Sequence, residues 1–315
     1  MNTPHFPLQD QLKGFSRALF STWLYHKRFN ILFDAGEGVA TALQNRVFGI
    51  RRIFLSHGHA DHIAGLVNLL NIRNLGAGDQ TAPLRIYYPK DNKLLEFMID
   101  YLMRTQKDLS FQLEWISLEP GQIIRLEDQK GIINIKTFET RHSQRQLSLG
   151  YNICEHRRRL KPQYVGLSQK ELHDVIKEKG SDEIAESFEK TIFTYGGDSR
   201  PINPDYVRDS LFLCHESTYL NADDDERDFQ QHSFLHEVIE TAKEANVETL
   251  MLFHTSLRYN LEMFYNTIVK LKQEIGLKSK IILLYGDTFI DTDLPLSRRN
   301  RNRFRIAEDN EEQGV

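Results

Sequence analysis

The sequence predicts a layered α/β fold, with two mixed β-sheets packed together and helices on their outer faces. Three observations carry this. Short apolar runs alternate with segments of helical spacing, and strand-only stretches occur in both halves of the chain. The residues with chemical potential fall just beyond strand ends, where α/β proteins place their sites. A chain of 315 residues has ample material for a buried core.

Taken in order, residues 1–16 contain Pro4 and Pro7, show no clear periodicity and read as an entry segment. Ala18–Tyr25 and Asn30–Phe33 read as strands joined by a basic turn, His26-Lys27-Arg28. Asp34-Ala35-Gly36-Glu37-Gly38 breaks the second strand, and Val39–Gln44 suits a short helix. Arg51–Leu55 is a strand, and the helix after the following loop runs to Leu75, with Gly76 as its stop. Leu84–Tyr88 is the next strand. Asn92–Arg104 is a helix, with Leu94, Leu95, Met98 and Leu102 at apolar spacing.

Strands follow at Phe111–Leu118, Gln122–Leu126, Ile132–Phe138 and Leu147–Ile153, then a polar helix, Ser168–Lys179, with Ser168 and Glu171 placed as a capping box. Thr191–Tyr195, Leu211–Cys214, Leu250–Phe253 and Ile281–Tyr285 are further strands, and Ser233–Ala245 and Leu261–Ile275 are helices. Asp223–Glu226 is an acidic loop, and Arg298–Val315 reads as a charged, mobile tail.

No run of about 18 apolar residues occurs, so no membrane span is expected. The N-terminus lacks a basic region followed by an apolar block, so no secretory signal is expected either. Cys154 and Cys214 are far apart and read as core thiols of a cytoplasmic protein. The formal net charge of −4 argues against indiscriminate nucleic-acid binding. Two basic clusters, His156–Lys161 and Arg298–Arg305, leave two readings open: a local RNA contact or a solvated surface.

The densest chemistry lies in Ser56-His57-Gly58-His59-Ala60-Asp61-His62-Ile63, between a strand and a helix. Imidazole nitrogen and carboxylate oxygen suit divalent zinc, manganese or iron. Asp61 serving only as a helix cap is the plainer alternative. A two-metal hydrolytic site needs about seven protein ligands, one a carboxylate bridging ions about 3.5–4 Å apart. The loop offers four, and His142, Asp198 and His254 each follow an apolar strand.

Together, His57-x-His59-x-Asp61-His62, His142, Asp198 and His254 resemble the metallo-β-lactamase superfamily. Softer motifs are similar to its ribonuclease Z branch. Phe33–Gly38 resembles F-D-C-G-E-G, and Tyr195-Gly196-Gly197-Asp198-Ser199-Arg200-Pro201 resembles Y-S-G-D-T-R-P. His215-Glu216-Ser217-Thr218-Tyr219 resembles H-E-A-T-F, and Phe253–Tyr259 resembles T-H-F-S-x-R-Y. Tyr285-Gly286-Asp287-Thr288 also ends a strand in Gly-Asp-Thr. Asp198 fits the family's order better, which assigns Asp287 to a turn.

The resemblance implies a four-layer αββα metallo-β-lactamase-like sandwich spanning 1–295, with 154–190 as a short basic arm or insertion and 296–315 as the tail. It implies two divalent ions, zinc by preference, with manganese or iron as alternatives. His57, His59 and His142 would hold one ion; Asp61, His62 and His254 would hold the other; Asp198 would bridge them. Asp61 would act as general base, and His215, oriented by Glu216, would protonate the leaving oxygen. Arg258, with Arg157, Arg158 and Arg159, would contact substrate phosphates.

The implied activity is endoribonuclease action on the 3′ end of precursor tRNA, by a homodimer. Two departures bear on that substrate. The interval between His142 and Asp198 is short, with Pro162 its only proline, where the family carries a Gly- and Pro-rich arm. The family's N-terminal P-x-K-x-R-N pattern is missing around Pro7–Arg17. Two other functions therefore stand beside the first: hydrolysis of a smaller phosphodiester or another ester, and a non-catalytic metal- or RNA-binding scaffold. The presence of Asp61 argues against the scaffold.

Overall fold

The computed structural model describes residues 8–76, 81–143, 145–221, 231–297 and 300. One sheet contains β1 (Leu12–Arg17), β2 (Ser21–His26), β3 (Ile31–Phe33), β4 (Arg52–Phe54), β5 (Leu84–Pro89) and β6 (Leu113–Leu118), side by side in sequence order. Its first three strands are antiparallel, and β3 to β6 run parallel. The other sheet contains β7 (Ile123–Arg125), β8 (Ile133–Thr140), β9 (Ser148–Leu160), β10 (Ala185–Tyr195), β11 (Phe212–Glu216), β12 (Thr249–Phe253), β13 (Lys280–Tyr285) and β14 (Thr288–Asp291). Here β10 to β13 are parallel and the flanking pairs antiparallel, so both sheets are mixed.

The helices are α1 (Val39–Leu43), α2 (Ala60–Ile63), α3 (Leu66–Gly76), α4 (Lys93–Thr105), α5 (Gln169–Lys179), α6 (Ser181–Ile184), α7 (Leu235–Glu244) and α8 (Leu261–Ile275). Strand periodicity explains the four layers, because successive side chains point to opposite faces. Phe33, Phe54, Met251, Phe253, Ile282 and Leu284 enter a core shared by the two sheets. Their neighbours Leu32, Ile53 and Leu55 pack outward beside α1 and α3. Leu250, Leu252, Ile281 and Leu283 pack outward with residues of α7 and α8. Phe33 lies 5.9 Å from Phe54 and 5.1 Å from Tyr195, ring to ring, which ties one sheet to the other. Full burial of each such side chain contributes about 1.5–3 kcal/mol.

The capping box at Ser168 and Glu171 is present, and α8 has the expected limits. Cys154 and Cys214 are buried free thiols. Among the described residues, no helix is long and apolar enough to cross a membrane. The acidic loop Asp223–Glu226 and nearly all of the tail from Arg298 lie outside the described residues.

The strand β1 replaces part of the expected entry segment. Its inward positions are Leu12, Gly14 and Ser16, too small and polar to advertise a strand. Ser16 exchanges backbone hydrogen bonds with Gly286, which joins β1 to the second sheet as well as to β2. Gly286 and Asp287 form the turn between β13 and the unforeseen β14, so Asp287 belongs to a hairpin.

The strands β9 and β10 also run longer than expected, pairing from Leu160↔Ala185 inward as a ribbon capped by α5 and α6. The segment 154–190, expected as a short basic arm or insertion, forms this ribbon and its cap. It carries eight Lys or Arg and eight Asp or Glu. Arg157 pairs with Glu155 at 2.6 Å, Arg158 with Asp182 at 2.5 Å and Arg159 with Glu186 at 2.6 Å.

Candidate metal centre

The expected ligands are delivered by the ends of strands. β4 leads into His57–His62, with Asp61 and His62 in the first turn of α2. His142 follows β8, Asp198 follows β10, Glu216 ends β11 and His254 follows β12. Because β4 and β10 to β12 point the same way within their parallel pairs, their carboxyl ends converge on one edge of the sandwich.

The structure brings all seven expected metal ligands together. Ligand atoms of His57, His59 and His142 lie within 4.8 Å of one another, and so do those of Asp61, His62 and His254. Asp198 sits between the two groups. Its Oδ2 is 3.2 Å from His62 Nε2, 3.1 Å from His254 Nε2 and 4.0 Å from His57 Nε2. Asp61 Oδ2 is 3.4 Å from His254 Nε2 and 3.7 Å from His62 Nε2.

Outer partners set the direction of the rings. Nδ1 of His62 contacts Asp34 Oδ2 at 2.7 Å, Nδ1 of His57 the Ser56 hydroxyl at 3.0 Å, Nδ1 of His142 the Gln231 carbonyl at 3.0 Å, and Nδ1 of His254 the Thr218 hydroxyl at 2.9 Å. With each Nδ1 as donor, each Nε2 keeps a lone pair toward the centre, the arrangement by which proteins prepare histidines for a metal. The fit is supported by buried atoms left over: His57 Nε2, His62 Nε2 and Asp198 Oδ1 make no hydrogen bond among the described residues. Buried polar atoms are seldom left so without a ligand to satisfy them.

Asp34 is the hub of this support. Oδ1 accepts from the Ser56 amide, and Oδ2 accepts from the Ser56 hydroxyl and the Tyr195 hydroxyl, all at 2.7 Å, besides contacting His62. Asp34 (φ 53°) and His254 (φ 58°) both adopt the left-handed backbone region, which is uncommon outside glycine and concentrates at functional sites.

Electrostatics follow from burial and proximity. Burial alone would lower His62, but the Asp198 and Asp34 carboxylates outweigh it and hold His62 well above the ordinary histidine value. Burial, reinforced by His62 and His142, pushes His57 well below that value, and burial takes His142 to about 4. Burial would raise both carboxylates. His254 and His62 instead hold Asp198 well below its ordinary range, and the His254 hydrogen bond with the His62 charge lowers Asp61.

His215 is not brought to this centre. It is fully buried; Nε2 accepts from the Ile202 amide at 3.1 Å, and Nδ1 contacts the Glu216 carbonyl at 2.8 Å. Glu216 therefore touches His215 only through its backbone carbonyl, and its carboxylate turns elsewhere. Its Oε1 lies 2.8 Å from Nδ1 of His232 and accepts from the Ser199 amide at 3.1 Å, while Oε2 accepts from the Thr218 amide and hydroxyl. His232 stands against the cluster, its ring 5.0 Å from that of His142 and 5.2 Å from that of His254. Arg200 Nη1 donates to the His232 carbonyl and Nη2 pairs with Glu237, fixing the segment that carries this histidine.

Sequence reasoning missed His232 because it precedes a helix instead of following a strand. The parity of β11 could have pointed away from His215. Phe212 and Cys214 face the inter-sheet core and Leu213 faces outward, so His215 shares the outward face and Glu216 the inward one.

Arg157, Arg158 and Arg159 are not gathered at the centre. Arg258 is exposed on the loop after His254, its guanidinium 5.9 Å from the Tyr219 ring centre. Leu149 of β9 bonds to Ser56 beside the site, and the strand then runs away from it. Arg157, Arg158 and Arg159 lie about 30 Å further along, at roughly 3.3 Å per residue.

Comparisons with known proteins agree with this architecture. Residues 29–161 match the beta-lactamase superfamily domain. The ribonuclease Z of Ligilactobacillus salivarius is 31% identical over 250 residues, covering 72% of this chain and 77% of that one. The ribonuclease Z of Enterococcus faecalis is 30% identical over 272 residues, covering 80% and 84%. In fold, the chain is similar to a metallo-beta-lactamase fold protein of Bacillus subtilis, with a TM-score of 0.60, 14% identity and coverage of 89% and 99%. It is also similar to human short-form tRNase Z, with a TM-score of 0.57, 19% identity and coverage of 90% and 99%. The chain belongs to the ribonuclease Z family of the beta-lactamase superfamily.

Proposed function

We propose that this protein is a two-metal phosphodiester hydrolase that cuts precursor tRNA at its 3′ end, as the names of its relatives suggest. The observation that carries the reading is Asp198 Oδ2 between the His62 and His254 nitrogens, with a three-histidine group on one side and Asp61 on the other. His57, His59 and His142 would hold one ion, Asp61, His62 and His254 the other, and Asp198 both. This imidazole-rich set suits zinc. Bound there, two divalent cations supply charge for the phosphate oxygens and acidify water.

The chain's own residues then divide the proton work. Asp61, partly open to solvent and ionised, takes the proton of the attacking water at Oδ2. His232, held at Nδ1 by Glu216, gives a proton from Nε2 to the leaving ribose oxygen as the ester bond breaks. The proton donor is thus His232 in place of His215.

Purified protein supplied with zinc or manganese is tested on a precursor tRNA and on bis-p-nitrophenyl phosphate. Cleavage of both, abolished by Asp61→Ala, is the expected result. Turnover of the small ester alone would instead favour a smaller phosphodiester, a second reading that the charge-balanced insertion over 154–190 supports. Failure on both substrates, with metal bound, would leave the scaffold.

A further inference from the structure

The hairpin between β1 and β2 carries an aromatic recess that the hydrolytic centre does not use. It encloses about 310 Å³ and is lined by Phe15, Phe20, Trp23 and Ala42, with Ser21 and Glu37 at its polar edge. The tip is held in an unusual form. Phe20 donates its amide to the Arg17 carbonyl, and Leu19 has φ 71°, a region that leucine seldom adopts. The outcome is an outward display of apolar surface, Leu19 at 83% and Phe20 at 54% exposure.

The recess shares a wall with the metal centre. Ser21 donates its hydroxyl to the Glu37 carbonyl, and Gly36 pairs with Thr22 through the backbone. Gly36 lies so close to Asp61 that an added Cβ would sit 2.3 Å from the Asp61 carbonyl. On the other side the recess meets positive charge. Lys13 donates Nζ to the carbonyl of Ala42, and Arg46 is near enough to act on the Lys13 charge. Aromatic faces beside cations, bordering a phosphodiester-cleaving centre, match the needs of unpaired RNA, in which a base stacks while its phosphates meet cations.

We propose that this recess is a nucleobase subsite, stacking one unpaired base of the RNA strand against Phe20 and the Phe15–Trp23 wall, with its phosphate toward Lys13 and Arg46. Glu37 at the rim accepts hydrogen bonds from amino-bearing base edges. The proposal rests on the reading of the protein as an RNA hydrolase.

The test uses the full zinc-loaded chain and the exposed residue Phe20, whose replacement leaves the core intact. Phe20→Ala is expected to raise KM for precursor tRNA about tenfold, within the range of one lost base stack, and Phe20→Tyr to restore it. Turnover of bis-p-nitrophenyl phosphate is the control and should stay within about twofold. A set of RNA substrates with one abasic nucleotide, stepped across the cleavage point, should show one position that raises KM similarly and adds nothing to Phe20→Ala.

An unchanged KM for RNA overturns the subsite, as does an equal fall on the small ester, which marks a structural effect. So does a change in oligomeric state with RNA binding intact, which would make the recess a self-association surface. Absence of RNA cleavage by the unsubstituted protein overturns the function proposed above and the subsite with it. RNA cleavage that Phe20→Ala leaves untouched overturns the subsite alone.

Discussion

Asp34 is not one of the seven expected ligands, yet its carboxylate takes four contacts in the buried polar network. Three donors, from Ser56, Tyr195 and His62, converge on Oδ2, and the Ser56 amide takes Oδ1. In Asp34→Asn the amide oxygen retains the three-donor position at best, leaving the side-chain NH2 opposed to the Ser56 amide. That loss costs about 1–3 kcal/mol, and replacing charge-assisted bonds by neutral ones costs about 1 kcal/mol for each of the other three, so roughly 4–6 kcal/mol in all. His62 also exchanges a charged acceptor for a neutral one, and weakening such an outer partner typically lowers metal affinity or activity about 10–100-fold. Zinc affinity is read by competition against a fluorescent chelator, and stability by denaturant unfolding of the zinc-free and zinc-loaded protein. An Asp34→Asn protein that binds zinc within about twofold of the parent and loses less than about 1 kcal/mol would refute the assignment of Asp34 as organiser.

Three further outcomes are expected. His232→Ala and Glu216→Gln should slow precursor tRNA cleavage about 10²–10⁴-fold while sparing the p-nitrophenyl ester, whose leaving group needs no proton; single-turnover rates on both substrates measure the split. Gly36→Ala should abolish activity and zinc binding together, since a Cβ there would press on the Asp61 carbonyl at 2.3 Å and the Thr22 amide at 2.7 Å, both backbone atoms. His26 lies between Phe29 and Phe193 with neither ring nitrogen hydrogen-bonded, and burial, aided by Arg28, lowers it from 6.5 to about 3. The folded state therefore refuses a proton that the unfolded chain accepts, and stability is lost as pH falls from 6.5 toward 3. His26→Phe should flatten that slope by up to about 1.4 kcal/mol per pH unit and stabilise the protein at neutral pH, as unfolding at pH 5 and pH 8 would show.

The seven clustered ligands were legible in the sequence because each follows an apolar strand or starts a helix beside one, a local signal that survives without tertiary information. The layers were legible for a similar reason, since alternation along β3, β12 and β13 already sorts inward from outward residues. Other features depended on partners distant in sequence. His215 and Glu216 are adjacent in one motif, but neighbouring residues of a strand face opposite ways, so only Glu216 reaches the site and its partner is His232, brought in by the start of α7. Arg157, Arg158 and Arg159 read as a basic cluster only while their paired acids, two of them across the ribbon, are unknown, and only the course of β9 shows that they travel away from the metal end. The sequence by itself determined which residues offer candidate metal ligands and which faces are buried, because those depend on residue type and local period. The tertiary structure decided which further histidine stands against the cluster, what steers each ligand and where an aromatic recess opens, because those depend on side chains meeting across tens or hundreds of residues.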